Sequence, residues 1–543
     1  MPLFDWLSDP PVDRGVRVLG EDGEWRYRSY PEIAALTRRS AGRLREAGVR
    51  AGDRVAVVRP ASAEFIADFF GALLLGATPV PVAPPDAFRD RPGHLRHLER
   101  IIRLVRPAAL VSTVDIRRAV EPDLAVPGLP MLDEVPADAP SVDEPAPPPE
   151  TGLIQFSSGS TKAPKGIRIP FTALQANVSA LYRWLRVTGA DSYASWLPVH
   201  HDMGLIGQLM LPLEGASDVW YMRPEDFIRA PLRWLECFGP GRATGTAAPP
   251  FSLRYITRRV KPRHLAGLDL SGWRFLVVGA ERIDADVVAA FRDLLEPCGL
   301  RGEVVVPAYG MAESTLAVTG APCGEPVATV SVDGDSLVVG QPVRRVPEGT
   351  GTTLVGCGTP VDGVTVRVLD DAGDPVDPGV LGEIEVGGTS LATAYLSEET
   401  GTAQVGPALR TGDAGFVLDG HLFVLGRMGD GIKHLGRWLF AEDVELLALP
   451  DSPYPAHTVA LVGALAGRQT AAILVEGELD GAAEKMGRAV GRNGDDLRVL
   501  VLSAPSGTIL RTTSGKPRRG AMWQRLMHGD LTSLIAWDSA TIG

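Results

Sequence analysis

A loop of hydroxyls, glycines and lysines is the first stretch of this chain whose residue types could do chemistry. Residues 153–169 read LIQFSSGSTKAPKGIRI: a short apolar strand, a turn, and a second apolar run over 167–169. Small residues such as Gly159 let backbone N–H groups approach an anion, Ser158, Ser160 and Thr161 bring hydroxyl donors, and Lys162 and Lys165 add positive charge. That composition suits a phosphate grip; it equally describes a Ser/Gly-rich surface hairpin. It is not a Walker A loop, because no Gly-Lys-Ser/Thr follows Gly159 at the required spacing. A second candidate is WRFLVVGAERID, residues 273–284, which predicts a buried strand ending at Gly279, Ala280 and Glu281. Ligands of open α/β sheets sit beyond the C-terminal ends of strands, so these three residues are placed to face one.

These residues need a scaffold, and the flanking sequence predicts one. Apolar residues recur at helical spacing over 30–47 with arginines on the other face, and Gly48 ends that helix. A buried strand over 53–58, a helix over 63–75 and the strand TPVPV follow, the alternation of an α/β domain with a parallel sheet. PADAPSVDEPAPPPE, residues 136–150, is an extended acidic linker that delivers the chain to the loop. A helix over 232–238 and a strand over 304–306 come next, and the strand runs into PAYGMAEST, residues 307–315. Residues 361–385 read as strands joined by the turn-rich DDAGDPVDPG.

At 543 residues the chain exceeds one folding unit, and its 45% apolar and 22% charged composition is that of a globular protein. A net charge of -12 argues against a general nucleic-acid binder. Cys237, Cys298, Cys323 and Cys357 are isolated, which fits a reducing compartment without structural zinc. The N-terminus lacks a basic region followed by an apolar run, and the most apolar window, 69–82, is too short and too interrupted to span a membrane. A cytoplasmic protein is expected.

The 158–166 core, SGSTKAPKG, resembles the signature loop of the adenylate-forming superfamily, usually Ser-Gly-Ser/Thr-Thr-Gly-x-Pro-Lys-Gly, with Lys162 where Gly is common. Four further segments resemble the superfamily's later motifs in the same order: HHDMG at 200–204, Tyr309-Gly310-Met311-Ala312-Glu313, Asp413 with Arg427, and SGKPRR at 514–519. AAPPFSL, residues 247–253, resembles a stretch of fatty acyl-AMP ligases that usually reads Gly-Pro-Asn-Phe, with Pro249 and Phe251 matching and Pro250 in place of Asn. The layout of residues 319–356 is similar to the insertion that separates those ligases from acyl-CoA synthetases.

The resemblance, from roughly residue 20 to 527, is to a fatty acyl-AMP ligase of the AMP-binding superfamily. It implies an α/β fold: a large multi-subdomain N-terminal adenylation domain, 1–429, with mixed sheets and a small β subdomain, then a small mobile α+β C-terminal domain, 430–543, hinged at Asp430. The implied reaction makes an acyl adenylate from ATP and a carboxylic acid, then passes the acyl group to an acyl carrier protein, with CoA as the alternative acceptor. A degenerate nucleotide-binding scaffold is a further alternative.

The resemblance also implies residue roles. Lys516 is the catalytic lysine, neutralising charge shared by the carboxylate and the α-phosphate. His201 orients those groups, and Met203 and Gly204 begin the helix along the acyl pocket. Tyr309 stacks on the purine, Gly279, Ala280, Glu281, Gly310, Met311 and Ala312 complete the nucleotide-binding set, and Glu313 holds Mg²⁺ with Thr161. Asp413 accepts the ribose hydroxyls, with Arg427 beside it, and Gly436 approaches the pantetheine tunnel. Each has a plainer reading: a hydrogen-bonded wall histidine for His201, a tight turn for 307–315, a turn aspartate for Asp413, a basic tail for 510–526 and a decorative hairpin for 319–356. An acyltransferase reading of the paired histidines fails, because no Asp-Gly follows at the expected spacing.

Overall fold

The computed structural model describes residues 4–85, 91–124, 126, 128–157, 164–398, 400–434, 437–491, 497–512 and 516–541. Ser158, Gly159, Ser160, Thr161, Lys162 and Gly436 lie outside the described residues, so the expectations placed on them are not addressed by the structure.

The predicted alternation is present. The helix Tyr30–Glu46 starts from a capping box in which Ser29 and Glu32 exchange hydrogen bonds, and Ser62 caps Ala63–Leu74. The strands Thr78–Pro81, Arg54–Val58, Ala109–Ser112 and Met131–Leu132 form a four-stranded parallel sheet. Asp68, fully buried in the second helix, is held by Arg43 and Arg59, each at 2.7 Å, and by the Ser40 hydroxyl. Burying one carboxylate between two guanidiniums meets the demand that interior charge be paired.

A nine-stranded sheet forms the centre of the described residues. Val305–Gly310, Phe275–Val278, Gly245–Ala248, Tyr193–Ser195, Val219–Tyr221 and Gly15–Leu19 run parallel in that spatial order, with antiparallel strands at both edges. Cores on its two faces bury Phe65, Phe69, Tyr193 and Leu205 on one side and Trp234, Phe238, Trp273 and Phe291 on the other. Thr151–Ser157 and Lys165–Pro170 belong to a separate antiparallel sheet with Ala394–Ser397. A fourth sheet, Val364–Leu369, Gly382–Gly388, Ala408–Leu418 and His421–Arg427, is also antiparallel.

Within the 319–356 segment, Thr329–Val332 pairs with Thr352–Val355 as a hairpin. Val332, Leu337, Val339 and Leu354 cover Phe416, Phe423 and Phe440. Beyond Asp430, the strands Thr458–Leu465, Arg468–Glu476, Arg498–Ala504 and Ile535–Asp538 make a sheet of their own, with a core on each face. Among the described residues, no helix is long and apolar enough to cross a membrane.

Two local features differ from the simplest reading of the sequence. Met203–Met210 is a π-helix, where its apolar pattern suggests an α-helix. Such helices are rare and concentrate at functional sites. The strand expected to stop near residue 306 continues to Gly310, carrying Tyr309 within it.

Candidate active site

Four of the predicted segments leave the C-terminal ends of four adjacent parallel strands. Ser195 leads to His200 and His201, Ala248 to Pro249 and Phe251, Val278 to Gly279, Ala280 and Glu281, and the fourth strand carries Tyr309 and Gly310. Parallel strands deliver their loops to one edge, so sequence-distant residues meet there.

Asp413 sits at the centre of the best-defined cluster. It stands directly opposite Arg427 across two antiparallel strands, which explains their spacing in sequence. The Tyr309 hydroxyl donates to Asp413 Oδ2 at 2.6 Å, and Arg427 Nε lies 3.2 Å from Oδ1. Asp413 is 7% exposed. Burial raises its pKa, while Arg427, the Tyr309 hydroxyl and Lys516 oppose the rise. The arrangement offers a partly neutralised carboxylate beside an aromatic ring, able to accept paired hydroxyls next to a flat base.

Glu313 follows on a short 3₁₀ turn and accepts from the Tyr395 hydroxyl at 3.4 Å. Lys165, at the re-entry from the Ser/Gly loop, rests its ammonium 3.3 Å from the centre of the Tyr395 ring, a cation–π contact. Burial lowers the Lys165 pKa, opposed by Glu313. The turn is braced from behind by Asn177, whose amide nitrogen donates to the Ser314 and Ala317 carbonyls while its oxygen accepts from the Ala317 N–H. Thr315 has φ 64° and Ala280 φ 72°, left-handed conformations that cost a side-chain-bearing residue energy. The Thr315 hydroxyl secures its turn by donating to the Ser390 carbonyl at 2.7 Å. Met311 and Ala312 are buried in the large core, so the structure gives their side chains a packing part.

The paired histidines differ in setting. His200 is buried, and burial, then His201 and His97, push its pKa well down, so it is neutral. His201 is half-buried, with its ring centre 4.4 Å from that of His200. Gln155, on the strand before the Ser/Gly loop, donates to the His200 carbonyl at 2.7 Å and ties that loop's base to the histidine turn. Asp202 accepts the Met203 N–H at 2.7 Å at the start of the π-helix. Gly204 is required by packing: a Cβ there would come within 2.1 Å of the Pro198 carbonyl oxygen. Phe251, 39% exposed, meets Trp196 edge-on at 5.8 Å, and Trp196 in turn stacks on Phe227 at 4.2 Å.

Lys516 reaches this edge from the C-terminal sheet. Thr512 and Lys516 bond to each other through Thr512 N–H to the Lys516 carbonyl at 2.8 Å and Lys516 N–H to Thr512 Oγ1 at 3.0 Å. Burial raises the pKa of Asp202 and of Glu281, and Lys516 is the foremost opposing charge on both. Glu281 is exposed, with enough protein around its carboxylate for that desolvation. Asp430, in the 3₁₀ turn Met428–Asp430, lies 4.0 Å from Arg519. Sequence reasoning missed Tyr395, Gln155, Arg282 and Arg519. Tyr395, Gln155 and Arg282 carry no local spacing signal, Arg519 closes the 514–519 motif with no role read from it, and each acts on a residue far along the chain.

The profile of the AMP-binding enzyme family matches residues 6–396. The chain belongs to that family. Among AMP-binding relatives, it is 32% identical over 512 residues to the long-chain-fatty-acid–AMP ligase FadD26 of Mycobacterium tuberculosis, covering 87% of each chain. It is 30% identical over 543 residues to the medium-chain-fatty-acid–[acyl-carrier-protein] ligase JamA of Moorena producens, covering 93% of this chain and 90% of that one. A solved structure from a study of fatty acyl-adenylate ligases of E. coli and L. pneumophila superposes with a TM-score of 0.88 at 28% identity, covering 98% of each chain. The adenylate-forming fold expected from the motif order is therefore present in this AMP-binding enzyme.

Proposed function

We propose that this enzyme activates a fatty or bulky hydrophobic carboxylic acid with ATP and hands the acyl group to the phosphopantetheine thiol of an acyl carrier protein. The observation that carries the reading is the Tyr309–Asp413–Arg427 cluster with the Lys516 charge acting on Asp413. It joins a nucleoside-binding constellation to the lysine an acyl-phosphate transfer needs. The named activities of FadD26 and JamA point to the same chemistry.

In the first half-reaction a carboxylate oxygen attacks the α-phosphorus in line, the bond from that phosphorus to the bridging oxygen breaks, and pyrophosphate leaves. Tyr309 stacks on adenine with Gly279, Ala280, Glu281 and Gly310 around it, Asp413 and Arg427 hold the ribose, and Lys165 faces the phosphates. Lys516 and His201 orient and neutralise the reacting oxygens. The acid lies along Met203, Gly204, Pro249 and Phe251. Glu313 is half-buried and presents carboxylate oxygen, the donor Mg²⁺ prefers, and one carboxylate plus substrate phosphates is an ordinary set for that ion. Glu313, with Thr161, would hold it, and the ion supplies charge neutralisation on the phosphates. In the second half-reaction the carrier's thiolate attacks the acyl carbonyl and AMP leaves. For that step the unit 430–543 turns about Asp430 relative to 1–429.

The test is mass spectrometry of products after mixing enzyme, MgATP and a panel of acids with either CoA or a holo carrier protein. Acyl-carrier product with little acyl-CoA is expected. Dominant acyl-CoA refutes the acceptor assignment, and absence of any adenylate across chain lengths and ring acids refutes the activation step.

A further inference from the structure

Directly after the Gly279–Glu281 turn, Arg282 crosses to the C-terminal unit and pairs with Asp443, 161 positions further on, at the start of the helix Ala441–Ala448. The Arg282 side chain is 9% exposed and that of Asp443 21%, so the pair is largely withdrawn from water. Asp443 is itself fixed: its Oδ2 accepts the Phe440 N–H at 3.1 Å, anchoring the carboxylate to the helix terminus. Arg282 also lies in the field of Glu442 and Asp284. Asp284 caps Ala285–Leu295 and receives Arg254 at 3.3 Å, from the helix that begins beside Phe251.

On the other side, Arg519 lies 3.0 Å from Glu442, 2.8 Å from Glu445 and 4.0 Å from Asp430. Arg519 is three residues beyond Lys516. Charges of alternating sign thus run from the helix at the acid end, through the turn at the nucleotide end, to the segment bearing Lys516 and the residue where the C-terminal unit departs. The link between the two units in this line is Arg282 with Asp443.

We propose that Arg282 is a positioning residue for the first half-reaction: it clasps the C-terminal unit in the arrangement that sets Lys516 against the reacting phosphate, and it releases that unit for the thiol step. The inference rests on the adenylation reading above. A contact made in one arrangement and broken in the other shifts their populations by its own free energy, and ligand affinity is untouched unless the ligand also meets that contact. The Arg282 guanidinium is engaged by Asp443 of the C-terminal unit, so its loss acts on the lid.

The experiment measures the half-reactions separately in Arg282→Ala and in Asp443→Asn, the latter keeping an oxygen for the Phe440 N–H while removing the charge. Pyrophosphate exchange should fall ten- to a hundredfold in both, with the KM for ATP within threefold of wild type. Thioester formation from supplied acyl adenylate should be unchanged or faster. The reversed pair Arg282→Asp with Asp443→Arg should recover at least tenfold over either reversal alone, and tryptic cutting after Arg427 should be faster in Arg282→Ala without ligands. Exchange within threefold of wild type in Arg282→Ala overturns the clasp, as does an equal fall in both half-reactions or unchanged tryptic cutting. Wild-type exchange is the separate control: its absence refutes the adenylation reading, while the tryptic comparison still decides the clasp.

Discussion

Replacing Asp413 with asparagine tests the ribose assignment with a magnitude that follows from the geometry. The carboxylate is 7% exposed and sits between the Tyr309 hydroxyl at 2.6 Å and Arg427 Nε at 3.2 Å. Asparagine keeps the size and one acceptor oxygen but removes the charge. A hydrogen bond to a charged acceptor contributes about 1.5–3 kcal/mol against about 0.5–1.5 for a neutral one. Two ribose hydroxyls therefore lose together about 2–3 kcal/mol, which at roughly 1.4 kcal/mol per decade is a rise of about 30- to 150-fold in the KM for ATP.

The assay is continuous pyrophosphate release at saturating acid, with the KM for the acid staying within threefold. Pairing the variant with 2′-deoxy-ATP and 3′-deoxy-ATP completes a cycle: wild type should lose affinity for each analogue, and Asp413→Asn should lose much less. A variant whose KM for ATP stays within threefold of wild type, with an unchanged melting transition, refutes the assignment. Full additivity of the deoxy penalties does so as well.

Lys516→Ala should abolish adenylation while keeping ATP binding by calorimetry and thioester formation from supplied adenylate; adenylation at the wild-type rate removes that lysine from the mechanism. Glu214 is 7% exposed and burial raises its pKa to about 7. Its ionised form therefore costs the folded state stability, a cost absent below the unfolded pKa, growing as pH rises and complete above about 7. Glu214→Gln should gain up to about 3 kcal/mol at pH 8 and nothing at pH 4, read from denaturant midpoints, and equal midpoints at pH 8 contradict it. Gly320→Ala should destabilise by about 1–3 kcal/mol, because a Cβ there would lie within 2 Å of the Trp184 ring, and unaltered thermal unfolding contradicts that packing.

The sequence carried the parts of this fold that depend on local pattern. The helices Tyr30–Glu46 and Ala63–Leu74 and the parallel strands beside them have caps and periodicities that end where the sequence predicts, within a residue. Gly279–Glu281 was legible because a strand followed by small residues marks a sheet edge. The π-helix was not, since MGLIGQLM presents the same apolar positions to either helix. Arg282 was equally silent: an arginine one place after a motif has no periodicity, and its meaning comes from Asp443, on a helix of another sheet. Tyr309 and Asp413 stand 104 residues apart, so only the assembled sheets show that one hydroxyl serves the other's carboxylate.

The roof over Phe416, Phe423 and Phe440 has a bearing on how such an enzyme can be altered. Phe416 and Phe423 stack 5.1 Å apart on the strands that hold Asp413 and Arg427, and Val332, Leu337, Val339 and Leu354 of the 319–356 hairpin close over them. Excising the hairpin uncovers three phenylalanine rings beside the Asp413 and Arg427 strands. Grafting it onto a relative lacking those rings strands its aliphatic side chains in water. Segment and floor are thus coupled through packing: changing the hairpin alone, or the rings alone, leaves apolar surface in water.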